Sequence, residues 1–203
     1  MESRLAKVIS YIFHPLLIPT YAYIILLHLK VYFSMIIPSP QKWLIISLIF
    51  ITTFLFPTII SLFMVRRGLA RSMEMHGREE RTFPYMITVV FFYLTFYLLR
   101  QIQISPVFYY FMAGATLLVI LVLVINLFWK ISGHMISIGS MAGAIIGLSL
   151  LLNINLVPMI IAVILVSGFI AYARLRLNAH RPAQVYAGFF LGLVVMGGVF
   201  FFL

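Results

Sequence analysis

Charge is excluded from seven long stretches of this chain. Uncharged, mostly apolar runs cover 8–29, 43–65, 82–99, 104–129, 135–152, 156–173 and 184–203. A bilayer core takes roughly 20 apolar residues of helix to cross, so each run is about long enough to span. With 64% hydrophobic residues, 9% charged residues and a mean hydropathy of +1.16, too little polar surface remains to cover a water-soluble globule. The expectation is an all-α polytopic bundle of about seven spans. It forms a single membrane domain over 1–203, with a six-helix core at about 43–203 and an extra N-terminal segment at 1–42. Lys, Arg, Trp and Tyr flank the spans as interfacial anchors. The first run contains His14, Pro15 and Pro19, which predict a kink or an early end within it. It is too long for a secretory signal and lacks a small-residue cleavage site, so a retained helix is expected.

The polar residues that remain exclude several chemistries. There is no cysteine, which removes thiolate catalysis and Cys-ligated metals. The four carboxylates are Glu2, Glu74, Glu79 and Glu80, with no aspartate, so an aspartate-rich magnesium site cannot be assembled. No metal or other cofactor is expected. The net charge of +10 comes from cations at span ends rather than on a folded polar face, which favours membrane lipid, anionic lipid above all, over nucleic acid as the partner.

Three strings gather the remaining chemistry. They are the arginine-rich loop 71–81, Ser132-Gly133-His134, and Arg174 followed six residues later by His180. If all seven runs span, all three strings fall on the N-terminal side of the membrane, where fixed cations, two histidines and a serine would make a phosphate site. Gly139, Gly143 and Gly147 recur every four residues in the fifth span, as do Gly188 and Gly192 in the seventh. Small residues at this spacing let helices approach closely, so these two spans are expected to pack together and bring the two histidine strings side by side.

In these residues the chain resembles the membrane-integral type 2 phosphatidic acid phosphatases, whose motifs read Lys-x6-Arg-Pro, Pro-Ser-Gly-His and Ser-Arg-x5-His-x3-Asp. The second motif reads here Ile131-Ser132-Gly133-His134, and the third Ala173-Arg174, five residues, His180, three residues, Gln184. The first is looser: Arg71 and Arg78 keep the seven-residue step with arginine for lysine, while Arg81 lies three residues before Pro84. The resemblance runs from about the second span to the C-terminus and implies a phosphatase-like six-helix core.

It also implies roles. His180 would attack phosphorus and form a phosphohistidine, and His134 would protonate the leaving oxygen and later activate water. Ser132, Gly133, Arg174, Lys130 and the loop cations Arg71, Arg78 and Arg81 would hold the phosphoryl oxygens, with Lys130 a stand-in for the first-motif lysine. Elementary chemistry agrees, because phosphoryl transfer needs mainly in-line positioning and neutralised equatorial oxygens. Ser132 stands where a helix N-cap is expected, and Pro182 suits the first turn of the last helix, with His180 at its mouth.

Gln184 is the main departure. The family's aspartate orients the nucleophilic histidine and stabilises its positive charge; glutamine accepts the same hydrogen bond without charge. In a serine protease triad the analogous change costs about 10⁴ in turnover. A carboxylate of the basic loop, Glu74, Glu79 or Glu80, is the expected source of rescue.

The expected function is a metal-independent lipid phosphatase acting on a lipid phosphomonoester or a polyprenyl or other lipid diphosphate. The alternative is a catalytically degenerate member that binds or transports anionic lipid. His14, His28 and His76 are read as solvated or capping residues, Arg66, Arg67 and Arg176 as headgroup anchors. Eleven of the fourteen cations fall on the N-terminal side and three, Lys30, Lys42 and Arg100, opposite, which predicts a cytoplasmic site by the positive-inside rule.

Overall fold

The structure, a computed structural model, describes residues 2–68 and 78–202. Among them every regular element is helical and seven helical stretches are long and apolar enough to cross a membrane, so this is an integral multi-pass membrane protein. The helices are α1 (Glu2–Ile12), α2 (Ile18–His28), a short α3 (Tyr32–Met35), α4 (Ser39–Phe50), α5 (Phe56–Arg66), α6 (Arg78–Gln101), α7 (Pro106–Phe128), α8 (Gly133–Leu151), α9 (Val157–Arg176) and α10 (Pro182–Phe201).

The chain divides into two compact units: residues up to Ile18 with those from Phe128 onward, and Pro19–Leu127. Thus α1 belongs with the last three helices.

In the first unit α8 is the centre, with α10 and α9 packed on it and α1 along α9. The α8–α10 pairing follows the glycine ladders. A Cβ at Gly139 would strike the Phe189 carbonyl, one at Gly143 the Leu193 carbonyl, and one at Gly192 the Ile136 carbonyl. Only hydrogen fits, so the backbones touch and dispersion contacts replace the hydrophobic drive that lipid cannot supply. Between α1 and α2 the helix breaks where the prolines predict. His14 is extended, and Pro15–Leu17 form a single 3₁₀ turn that rests on α8.

In the second unit α4, α5 and α6 pack around a single π turn at Ile51–Leu55. Pro57 accounts for the turn, since it has no N–H for the Thr53 carbonyl and its ring crowds that carbonyl. Phe56 N–H accordingly reaches back five residues to Ile51 O. The Thr95 hydroxyl donates to Thr52 Oγ1 at 2.7 Å and ties α6 to the turn. Buried Tyr23 of α2 donates its hydroxyl to Phe108 O of α7 at 2.6 Å.

Candidate functional site

The site lies in the first unit, where two helix starts and one helix end meet. Ser132 takes an extended conformation (φ −84°, ψ 103°) at the N-cap of α8, and its carbonyl accepts from Met135 N and Ile136 N at 3.1 and 3.0 Å. The hydroxyl departs from expectation. It makes no capping bond, and Ser132 Oγ is a buried polar atom without a hydrogen-bond partner in a residue with 0% exposure. An unsatisfied buried hydroxyl costs about 1–3 kcal/mol, which marks it as held for something other than its own helix.

The end of α9 explains the five-residue interval between Arg174 and His180. Asn178 adopts a left-handed conformation (φ 50°), and its N–H bonds to Leu175 O at 2.9 Å while Ala179 N–H bonds to Arg174 O at 3.1 Å. This is the Schellman closure, in which asparagine tolerates the positive φ. It reverses the chain within three residues and delivers His180 to the start of α10. There Arg181 is the N-cap and Pro182 the first helical residue, where a missing N–H costs nothing.

Gln184, at the third position of α10, fixes the chemistry of His180. Arg181 N–H, which can only donate, points at Gln184 Oε1 at 3.0 Å, so the side-chain amide must present its oxygen there. The same oxygen lies 3.3 Å from His180 Nδ1, which must therefore carry the proton and donate. Neutral His180 is thus protonated on Nδ1 with the lone pair on Nε2, the form a nucleophilic imidazole needs. His180 and Gln184 are 8% and 9% exposed, so the arrangement is shielded from water.

His134 is held in the complementary way. Its Nε2 lies 3.0 Å from the Ser10 carbonyl of α1, an acceptor only, so Nε2 carries the proton and Nδ1 the lone pair. Ser10 also uses its side chain, because Arg174 Nη1 donates to Ser10 Oγ at 3.3 Å. The His14 ring stands edge-on to His134, centroids 5.9 Å apart and planes at 76°.

The two histidine strings therefore meet. Ser132 N–H reaches Gln184 O at 3.4 Å, and a Cβ on Gly188 would stand 2.9 Å from Ser132 O. Ser132, Gly133, His134, Arg174, His180 and Gln184 share one unit, and Lys130 is half-buried in the turn before α8. The first string is placed differently. Arg81 is half-buried in the first turns of α6 in the other unit, Arg78 opens α6 but its side chain lies outside the described residues, and Arg71 lies outside them altogether. The glutamates expected to rescue His180 fare likewise: Glu74 and the Glu79 side chain lie outside the described residues, and Glu80 belongs to the other unit. The group that meets His180 Nδ1 is the neutral Gln184.

Among the residues expected to be bland, exposed His28 bonds its Nδ1 to Ile24 O at 2.8 Å within its own helix, and Arg176 is exposed at the end of α9. His76 lies outside the described residues. His14 does cap, with Nδ1 3.4 Å from Leu16 N, but it also joins the site. Sequence inspection missed Ser10 and Asn178 as well. Asn178 had a signal, an asparagine just past a helix end; Ser10 had none, being 124 and 164 residues from its partners.

The unit that holds the site carries six cations, Arg4, Lys7, Lys130, Arg174, Arg176 and Arg181, against a single carboxylate, Glu2. Such a balance attracts an anion. No protein-family model, curated protein or solved structure matches this chain, so the phosphatase resemblance rests on the short motifs themselves.

Proposed function

We propose that the protein is a metal-independent lipid phosphatase that hydrolyses a lipid phosphomonoester or a polyprenyl or other lipid diphosphate through a phosphohistidine. The observation that carries this is the paired imidazoles beside Arg174 and the unpartnered Ser132 hydroxyl. Each ring has one nitrogen held by a neutral oxygen acceptor, His134 Nε2 by Ser10 O and His180 Nδ1 by Gln184 Oε1.

His180 Nε2 attacks phosphorus in line while Nδ1–H stays on Gln184. Arg174, Lys130 and the Ser132 hydroxyl, with the amides that open α8 at Gly133, neutralise the equatorial oxygens. His134 in its charged form keeps Nε2–H on Ser10 O and gives its Nδ1 proton to the leaving oxygen. It then takes a proton from water, whose oxygen attacks the phosphohistidine, releases phosphate and restores His180. The site faces the cytoplasm at headgroup level, on the excess of cations at that side.

Phosphate release by the purified protein in detergent with EDTA, over a panel of lipid monophosphates and diphosphates, tests the proposal. Release abolished by both His180→Ala and His134→Ala is expected, and release untouched by His180→Ala rejects the mechanism. A second function, anionic-lipid binding or transport without hydrolysis, is favoured by one observation, the uncharged partner of His180. Retained binding of phosphate lipids with no release from any of them would establish it.

A further inference from the structure

We propose that the N-terminal helix is a working part of this site: Ser10 holds Arg174 toward phosphate, and His14 holds the plane of the His134 ring. The proposal rests on the phosphatase reading for its kinetics, but not for its ligand-binding test.

Ser10 is 8% exposed and spends both of its polar groups on the site. Its carbonyl takes the His134 Nε2 proton and its hydroxyl takes a hydrogen bond from Arg174 Nη1. A helical carbonyl this close to the end of α1 has no obligation to a later turn, since α1 stops at Ile12 and the chain breaks at His14. The break itself is built for the site. Pro15 forbids continuation of α1 and drives His14 into an extended conformation, which turns its ring edge-on to His134. The 3₁₀ turn that follows rests on α8, and α1 rests on α9, so one short segment spans both elements that carry the motif residues. An arginine side chain has roughly 2 kcal/mol of rotamer entropy to lose on binding phosphate, and a preset hydroxyl acceptor removes part of that loss beforehand. The edge-to-face contact does the same for the imidazole, whose one reactive nitrogen must meet a leaving oxygen.

Ser10 and His14 are therefore positioning residues with separable signatures. With dioctanoyl phosphatidate and farnesyl diphosphate as substrates, Ser10→Ala should raise KM about three- to tenfold while kcat stays within about twofold, and Ser10→Thr should recover it. His14→Asn, which keeps the cap on Leu16 but loses the ring, should lower kcat about tenfold at unchanged KM. His14→Phe, which keeps the ring but loses the cap, should restore most of kcat. Calorimetric titration of orthovanadate gives a readout without turnover, in which Ser10→Ala should weaken binding about three- to tenfold. Equal vanadate affinity in wild type and Ser10→Ala, or equal kcat in His14→Asn and His14→Phe, overturns the proposal. Loss of melting temperature in step with both constants also overturns it, reducing α1 to a packing helix. If His180→Ala alone leaves release unchanged, the phosphatase reading fails instead, and the vanadate titration still decides the role of Ser10.

Discussion

A buried hydroxyl without a partner is a liability that folding would ordinarily remove, and Ser132 keeps one at 0% exposure. Its deletion separates stability from function. Ser132→Ala should leave unfolding free energy unchanged or raise it by up to about 1 kcal/mol, because no protein hydrogen bond is lost. The same change should lower turnover about a hundredfold if the hydroxyl donates to a phosphoryl oxygen, as loss of an oxyanion donor does elsewhere. Chemical denaturation in mixed micelles and phosphate release check the two halves. Gln184 offers the opposite trade. Gln184→Glu is isosteric and keeps an acceptor for Arg181 N–H, and it places a negative charge 3.3 Å from His180 Nδ1 where a phosphohistidine would build positive charge. Turnover should rise at least about tenfold, since a charged orienter in an analogous triad is worth far more; an unchanged rate would mean that the ring is already oriented as well as chemistry requires. The motif residues that the fold brings together, down to the glutamine, stand in the sequence, whereas Ser10 and His14 gave no such signal. The proton positions were not legible, because a tautomer is set by whatever lies opposite each nitrogen, and Ser10 is 124 residues from His134.

At the scale of elements, the α8–α10 contact is the most predictable feature of the fold and the least forgiving. Gly139→Ala and Gly192→Ala each put a methyl group into a facing backbone carbonyl, which cannot yield as a flexible side chain would. Each should cost about 1–3 kcal/mol and draw the two histidine strings apart, with loss of activity. Gly168→Ala and Gly198→Ala meet nothing within 4 Å and should instead be neutral or stabilising by about 0.5–1 kcal/mol. A reversible unfolding titration of all four variants checks the contrast, and a uniform response would refute close backbone contact as the cause. Here four-residue glycine spacing was sufficient signal, since it records a contact periodic with the helix itself. The break at His14 was half legible. Prolines announce where a helix cannot continue, yet the direction in which the chain leaves depends on α8 and α9, which occupy the space beside it.

For the whole molecule, the distribution of charge is the quantity that bears on orientation. If all seven runs span, eleven cations fall on the N-terminal side and three opposite, and insertion on that topology should leave the N-terminal side in the cytoplasm. A cysteine placed at Glu79, in a chain that has none of its own, should then resist an impermeant maleimide in intact cells and react once the membrane is opened. Labelling in intact cells would reverse the proposed orientation.

What the sequence alone determined is everything that depends on solvent and on local geometry. Seven runs without charge have no stable place except a bilayer, the absence of aspartate and cysteine limits the available chemistry, and glycine and proline mark where helices touch and start. Tertiary structure decided the rest: that the first eighteen residues join the last seventy-six rather than their neighbours, that a serine in α1 serves both a histidine and an arginine, and that glutamine lends its oxygen to His180. The physical reason is the same in each case. A hydrogen bond or a ring contact between distant residues leaves no periodicity in the chain, and in a bilayer interior any polar group must find such a partner wherever the packed helices happen to offer one.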